Sequence, residues 1–107
     1  MSRESLGHFE LLVLLALLRH GDEAYGVPIA HAIERSTGKR VILASIYNTL
    51  ERLEEKGLVA STMGEPTSER GGRAKRYFTI TAGGLREVRA AKKALTQLWR
   101  GVPVHEG

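Results

Sequence analysis

The strongest constraint on this chain is an apolar run of eight residues, 11–18, that contains neither proline nor glycine. Gly21 follows it as a stop signal, so the run predicts a helix over residues 7–19. A helix that is apolar on nearly every side must be covered on every side. A single domain of 107 residues has little material left to do so, and we therefore expect a second copy of the chain to cover part of it.

The same run is about half as long as a bilayer-spanning helix requires. Polar and charged residues flank it: His8, Glu10, Arg19 and His20. A secretory signal would instead need a basic stretch before the run and a small-residue cleavage site after it. The chain has no cysteine, which excludes disulfides and thiolate metal sites and fits a reducing compartment. We expect a soluble, cytoplasmic protein that does not associate with a membrane.

Two further short helices are predicted in the first half of the chain. One begins at Val27 or Pro28 and ends near Thr37, because proline suits an early helical position. The other covers residues 44–56, where apolar side chains recur at i, i+4 and i+7: Ile46, Leu50 and Leu53. Two short helices joined by a short turn predict a helix-turn-helix.

The pattern changes to that of a hairpin after Gly57. Residues 58–63 and 75–81 read as strands, and the polar loop between them is rich in glycine, serine and arginine. The loop ends in Glu69-Arg-Gly-Gly-Arg-Ala-Lys-Arg76, which holds four bases against one acid. Glycines allow a close approach of the backbone to another surface, and the bases suit phosphates or a narrow minor groove. The alternative is a flexible loop that only aids solubility.

The last helix is predicted from an N-cap at Thr81 to about Arg100. Its apolar side chains follow the alternating a and d positions of a heptad, and Lys92 occupies one a position. The apolar residues are Leu85, Val88, Leu95, Trp99 and Val102. Such a seam requires a partner helix, so we assign these five residues to a dimer interface.

These elements predict a mainly α fold with a small β-hairpin. We expect residues 1–81 to form a winged helix-turn-helix domain, residues 82–101 a C-terminal dimerisation helix and residues 102–107 a flexible tail. The net charge of +4 and the isoelectric point near 9.8 are in the direction expected of a protein that approaches a polyanion.

The predicted third helix presents a polar face opposite its apolar stripe. That face comprises Ala44, Ser45, Asn48, Glu51, Arg52 and Glu55, with Tyr47 on the flank. Small and hydrogen-bonding residues in the first turns suit a helix that enters the major groove. We expect the carboxylates of Glu51, Glu54 and Glu55, at the rear of this helix, to point away from the phosphates of bound DNA. The alternative is an ordinary solvated face.

Four blocks of the chain resemble the PadR family of transcriptional regulators. They are Tyr25-Gly26, Ala44-Ser-Ile-Tyr-Asn-Thr-Leu-Glu-Arg-Leu-Glu-Glu-Lys-Gly-Leu-Val59, Gly71-Gly-Arg-Ala-Lys-Arg-Tyr-Phe78 and Thr81-Ala-Gly-Gly-Leu85. The resemblance spans roughly residues 7–100 and implies a dimeric winged-helix protein, commonly a repressor. It implies DNA contacts from Ser45, Tyr47, Asn48 and Arg52, and wing contacts from Arg70, Arg73 and Lys75.

The resemblance is not complete. Many members have Gly-Thr-Leu-Tyr-Pro where this chain has Ala44-Ser-Ile-Tyr-Asn48, so their operator sequence does not transfer. A single helix follows the wing, as in the short subfamily, which implies that any effector pocket lies at the dimer interface. There Trp99 would stack on a flat hydrophobic or aromatic compound, with Phe9 and Leu12 as further lining residues. The alternative is that Trp99 packs in the interface without a ligand.

Other functional classes have little support in the sequence. The four histidines lack the paired spacing of metal ligands. No serine lies in the sequence context of a nucleophile elbow. The glycine pairs Gly71-Gly72 and Gly83-Gly84 lack the context of a phosphate-binding loop. We expect no enzyme activity, metal or cofactor. The leading hypothesis is a sequence-specific regulator that binds a pseudo-palindromic operator in double-stranded DNA as a homodimer. The alternative is a winged-helix module that binds other proteins.

Overall fold

The computed structural model describes residues 6–21, 24–64 and 75–103. Along these ranges the order of elements is α1 (His8–His20), α2 (Gly26–Thr37), α3 (Leu43–Glu55), β1 (Val59–Met63), β2 (Arg76–Ile80) and α4 (Ala82–Trp99). Every bound lies within two residues of its predicted position. None of the helices in these ranges has the length and apolar character needed to span a membrane.

The core forms where the first three helices meet the inner side of the hairpin. Ile46, Leu50 and Leu53 of α3 are fully buried, as the i, i+4, i+7 spacing predicts. Phe78 of β2 is also fully buried and closes the core from the strand side. Burial of side chains of this size contributes about 1.5–3 kcal/mol each, so this stripe fixes which face of α3 turns inward.

Helix α1 is only partly covered by its own chain. Its inner side contributes Val13, Leu14, Ala16 and Leu17 to the core, whereas Leu15 and Leu18 on the other side are 42% and 39% exposed. An apolar face of this kind on a short helix requires another surface. The chain therefore leaves part of the apolar surface of α1 exposed, as expected, and its coverage by a second copy stays a prediction.

The turn between α2 and α3 is fixed by local hydrogen bonds. Gly38 ends α2 in the left-handed region, with φ 74°, and its N–H donates to the Glu34 carbonyl at 2.8 Å. The Val41 N–H donates to the Glu34 carboxylate at 2.8 Å. The first turn of α3 is thereby held at a defined angle to α2.

The hairpin is antiparallel, with Val59 opposite Ile80 and Met63 opposite Arg76. The Phe78 N–H also donates to the Ala24 carbonyl at 2.8 Å, so the segment before α2 pairs with the outer edge of β2. This contact ties the wing to the start of the helix-turn-helix.

Helix α4 is anchored at its beginning and exposed at its end. The Thr81 side chain accepts a hydrogen bond from the Gly84 N–H at 3.0 Å, which confirms Thr81 as the N-cap. Gly84 is buried against the Leu58 carbonyl, which a Cβ at this position would overlap. From Lys92 to the last described residue, Pro103, every side chain is exposed. Most of the predicted tail, residues 104–107, lies outside the described ranges.

Candidate nucleic-acid interface

The outer face of α3 carries hydrogen-bonding side chains in its first two turns. Ser45 and Asn48 are exposed, one turn apart on the side away from the buried stripe. The small Ala44 beside them is also exposed, so nothing bulky at these positions prevents close approach to another surface. Such a surface suits a helix that enters a major groove, and the outward direction of these side chains agrees with the predicted orientation of the helix.

Tyr47 lies on the flank of α3 and turns towards the chain rather than outwards. Its hydroxyl oxygen accepts a hydrogen bond from the Gly26 N–H at 3.2 Å, and its ring packs against Phe78. A Cβ on Gly26 would lie 2.5 Å from the ring, which explains why glycine follows Tyr25. Tyr47 therefore braces α3 against α2, while its hydroxyl proton stays available for donation to a phosphate.

Arg52 is held at the edge of α3 by a carboxylate from α1. Its Nε lies 3.7 Å from Glu10 Oε2, and its Nη2 donates to the Thr49 hydroxyl at 3.4 Å. The Arg52 side chain is 55% exposed, so part of the guanidinium can still reach a phosphate. In the sequence Glu10 stands only as a charge that flanks the apolar run. Its pairing with Arg52 was not predicted, because residues 42 positions apart carry no local signal of contact.

Glu10 is the single charged residue that is buried among the described residues. Its carboxylate accepts hydrogen bonds from the Gly7 N–H at 2.9 Å and from Lys56 Nζ at 3.0 and 3.1 Å. Burial raises the pKa of Glu10, but the Gly7 N–H and the Lys56 and Arg52 cations outweigh it, so that its pKa lies below the usual value. The carboxylate is therefore charged at neutral pH and joins α1 to the end of α3.

The foot of the wing presents one cation from the predicted DNA-binding set. Lys75 Nζ lies 4.6 Å from the centroid of the Tyr25 ring and 3.4 Å from its hydroxyl. Tyr77 packs edge-on against the same ring, with centroids 5.7 Å apart. The two aromatic rings support an exposed ammonium group close to the N-terminus of α2. Arg70 and Arg73, the other predicted wing contacts, lie outside the described residues.

Arg76 differs from the other bases of the predicted basic loop. Its Nη2 donates to Glu54 Oε1 at 2.6 Å and its Nε to the Ser61 hydroxyl at 3.1 Å. The guanidinium also lies over the Phe78 ring, 5.0 Å from the centroid. Arg76 therefore links the hairpin to α3 instead of presenting its charge to a phosphate. Glu54 is held in this internal pair, which agrees with its predicted place away from DNA.

The sequence model of the transcriptional regulator PadR-like family matches residues 14–90. The chain belongs to this family. The match covers the second half of α1, all of α2 and α3, the hairpin and the first half of α4, so the resemblance seen in the sequence is confirmed. This PadR-like chain is a DNA-binding transcription regulator by family. No curated protein sequence matches it.

Solved structures share its fold. A PadR family transcription regulator from Clostridium difficile R20291 has a TM-score of 0.71 and 25% identity, with 86% of this chain and 91% of that one covered. A PadR family transcriptional regulator from Eggerthella lenta has a TM-score of 0.67 and 28% identity, with 84% of this chain and 76% of that one covered. RosR of H. salinarum has a TM-score of 0.72 and 21% identity, with 94% of this chain and 84% of that one covered. These likenesses confirm the predicted winged helix-turn-helix.

The predicted dimer seam of this PadR-like chain divides into two parts. Val88 is 8% exposed and belongs to the core of its own chain, and Leu85 is half-buried. The outer part is solvent-exposed: Leu95 is 54%, Trp99 67% and Val102 44% exposed. Leu98, which lies outside the predicted seam, is 74% exposed. A heptad pattern does not distinguish a seam that packs within the chain from one that faces outwards.

The three predicted effector residues line three different concavities in one chain. Leu12 lines a groove between α1 and α2, Phe9 a depression beside the α2–α3 turn, and Trp99 a shallow surface on the end of α4. The described residues of one chain therefore do not bring the three together in any one of these concavities.

Proposed function

We propose that this chain is a homodimeric, sequence-specific regulator that docks α3 of each subunit into successive major grooves of a pseudo-palindromic operator. The observation that carries the proposal is the exposed polar surface of Ser45 and Asn48 on a helix whose opposite side is fully buried. Asn can pair with adenine through two hydrogen bonds, and Ser can contact either bases or phosphates.

The wing would contact flanking phosphates or the minor groove. Lys75 supports this because its ammonium group is exposed at the foot of the hairpin. Arg70 and Arg73 are the other two cations that we propose for contacts between the wing and DNA. Arg52 and the Tyr47 hydroxyl would add phosphate contacts from α3.

The second subunit would cover the exposed part of α4. Leu95, Leu98 and Trp99 are exposed apolar side chains on the end of α4, beyond the core, and contiguous exposed apolar surface can mark a contact with another protein. The groove between α1 and α2 has a volume of about 280 Å³ and apolar walls that include Leu12, Leu15 and Ile33. We infer that α4 of one subunit packs against α1 and this groove of the other.

The regulatory consequence would be repression. A dimer bound at an operator excludes other proteins from the same DNA, and that exclusion needs no further activity. A flat hydrophobic or aromatic effector would bind between subunits, where dimerisation would bring Trp99 towards Phe9 and Leu12. Such a ligand would release DNA by changing the separation of the two α3 helices.

The experiment that tests DNA recognition is selection of bound fragments from the source genome, followed by measurement of affinity at several salt concentrations. Asn48→Ala should change the sequence preference, whereas Arg73→Ala should weaken all sequences alike and reduce the salt slope by about one unit per subunit. His31→Ala, an exposed polar position on α2, is the matched control. Unchanged binding by folded dimers of both variants would refute the docking arrangement. Binding only to other proteins would favour an interaction module.

The dimer and the effector site are tested separately. Replacement of Leu95 and Leu98 by Gln should give a monomer in sedimentation equilibrium, while Lys93→Gln on the same helix should remain dimeric. A panel of aromatic compounds should quench the fluorescence of Trp99, the single tryptophan, and release DNA. A broad panel without either effect would refute the aromatic effector and leave a constitutive or differently controlled regulator.

A further inference from the structure

Ile42 is an apolar side chain at the start of the recognition helix with no place in the core. It occupies the N-cap position of α3, with φ −80° and ψ 127°, and is 71% exposed. Of its two neighbours, Val41 packs against the core and Leu43 is 41% exposed, so Ile42 is the most exposed of the three. Among the described large hydrophobics only Leu98, in the exposed part of α4, is more exposed.

Isoleucine at this position favours neither the helix nor the core. Ser, Thr, Asn and Asp are the preferred N-cap residues, because their side chains accept a hydrogen bond from an early backbone N–H. Helix α3 has no such side-chain hydrogen bond. Positions where a sequence departs from what its fold prefers are commonly functional. Such a role for Ile42 requires a contact outside its own chain.

Ile42 extends the face of α3 that carries Ser45 and Asn48, the residues proposed to contact bases. Residues 42, 45 and 48 follow one another at a spacing of three, which keeps them near one side of a helix. Ile42 and Ser45 also line one shallow depression of about 270 Å³, whose other walls are Phe9, Arg40 and Val41. The depression therefore combines apolar walls with a guanidinium group and a hydroxyl.

This combination suits the major groove better than a protein surface. Lys39 and Arg40 immediately precede the apolar residues and are exposed, whereas the buried centres of protein interfaces are depleted in charge. DNA offers both required features together, because phosphates attract the cations and the C5-methyl group of thymine is an apolar feature of the major-groove edge.

We propose that Ile42 is a specificity-determining residue that packs on a thymine methyl group in each half-site of the operator. The inference rests on the proposed DNA docking of α3 and adds an apolar contact to the polar ones. The operator then carries a thymine on the side of each half-site that faces the N-terminus of α3.

The test uses the fragment that the protein selects from genomic DNA, with each thymine of one half-site replaced in turn by deoxyuridine. This replacement removes only the methyl group and leaves base pairing unchanged. At one position the replacement should weaken binding about fourfold, which corresponds to about 0.8 kcal/mol for one buried apolar carbon. Replacement in both half-sites should weaken binding about sixteenfold if the two contacts are independent.

Ile42→Ser separates this contact from general effects of uracil on DNA. The variant gains an N-capping hydroxyl, so it should unfold at a higher urea concentration than the wild type. It should also bind thymine and uracil fragments equally well. Val27→Ser, which changes an exposed aliphatic residue at the start of α2, should keep the full uracil penalty.

The outcomes separate this inference from the proposed function. If the folded protein selects no fragment, the proposed function fails and this inference fails with it. If it binds a fragment specifically but uracil has no effect at any position, only the methyl contact is refuted. A uracil penalty that is the same in Ile42→Ser as in the wild type also refutes it.

Discussion

Replacement of Glu10 by glutamine tests the buried ionic contact that joins α1 to α3. Glutamine keeps the size of the side chain and an oxygen to accept the Gly7 N–H, but it removes the charge that faces Lys56. The Glu10 side chain is 8% exposed and that of Lys56 27%. Breaking a fully buried pair costs about 3–5 kcal/mol, but Lys56 can recover hydration here. We therefore expect a loss of about 2 kcal/mol.

Urea unfolding at pH 7 and fixed protein concentration measures this loss. With an m value of about 2 kcal/mol/M, a loss of about 2 kcal/mol lowers the midpoint by about 1 M. Glu51→Gln, an exposed position on α3, should change stability by less than about 0.5 kcal/mol. An unchanged midpoint for Glu10→Gln at pH 7 would refute the energetic role of the contact.

The pH dependence provides a second check. The folded-state pKa of Glu10 lies below its value in the unfolded chain, about 4.3. The stabilisation is therefore complete well above pH 4.3 and is lost as the pH falls through the folded-state pKa. The wild type should approach the stability of Glu10→Gln in acid. A difference between the two proteins that is as large at pH 3 as at pH 7 would show that charge is not the cause.

Two further predictions concern backbone contacts that position the wing and α3. Gly84→Ala should destabilise the chain by about 1–3 kcal/mol, because its Cβ would overlap the Leu58 carbonyl. Gly83→Ala, whose Cβ would meet nothing closer than 3.6 Å, should be neutral or stabilising by up to about 1 kcal/mol; equal effects in thermal unfolding would contradict this packing. Tyr47→Phe should cost about 1–2 kcal/mol in urea unfolding, because the buried Gly26 N–H loses its acceptor. Wild-type stability would mean that this hydrogen bond adds nothing.

The elements of the fold were predictable because their signals are local. The spacing of Ile46, Leu50 and Leu53 defines the inner face of α3, and the Thr81 N-cap marks the start of α4. The outward direction of Ser45 and Asn48 follows from the same periodicity, since the side opposite a buried stripe must face solvent or a ligand. These features need only the geometry of one helix.

Contacts between distant segments were not predictable in the same way. The pairing of Glu10 with Lys56 spans 46 positions, and that of Arg76 with Glu54 spans 22. Either charge could equally have stayed in solvent, because the sequence states which charges exist but not which of them face one another.

The sequence by itself determined the helices, the hairpin, the polar face of α3 and the presence of apolar surface beyond what one chain can bury. Only the tertiary structure decided that Val88 belongs to the core while Leu95, Leu98 and Trp99 are exposed, and that Tyr47 and Arg76 serve internal contacts. It also left Ile42 uncovered at the start of α3. The physical reason is that periodicity fixes a side chain's direction around its own helix, whereas burial depends on which other segments arrive there.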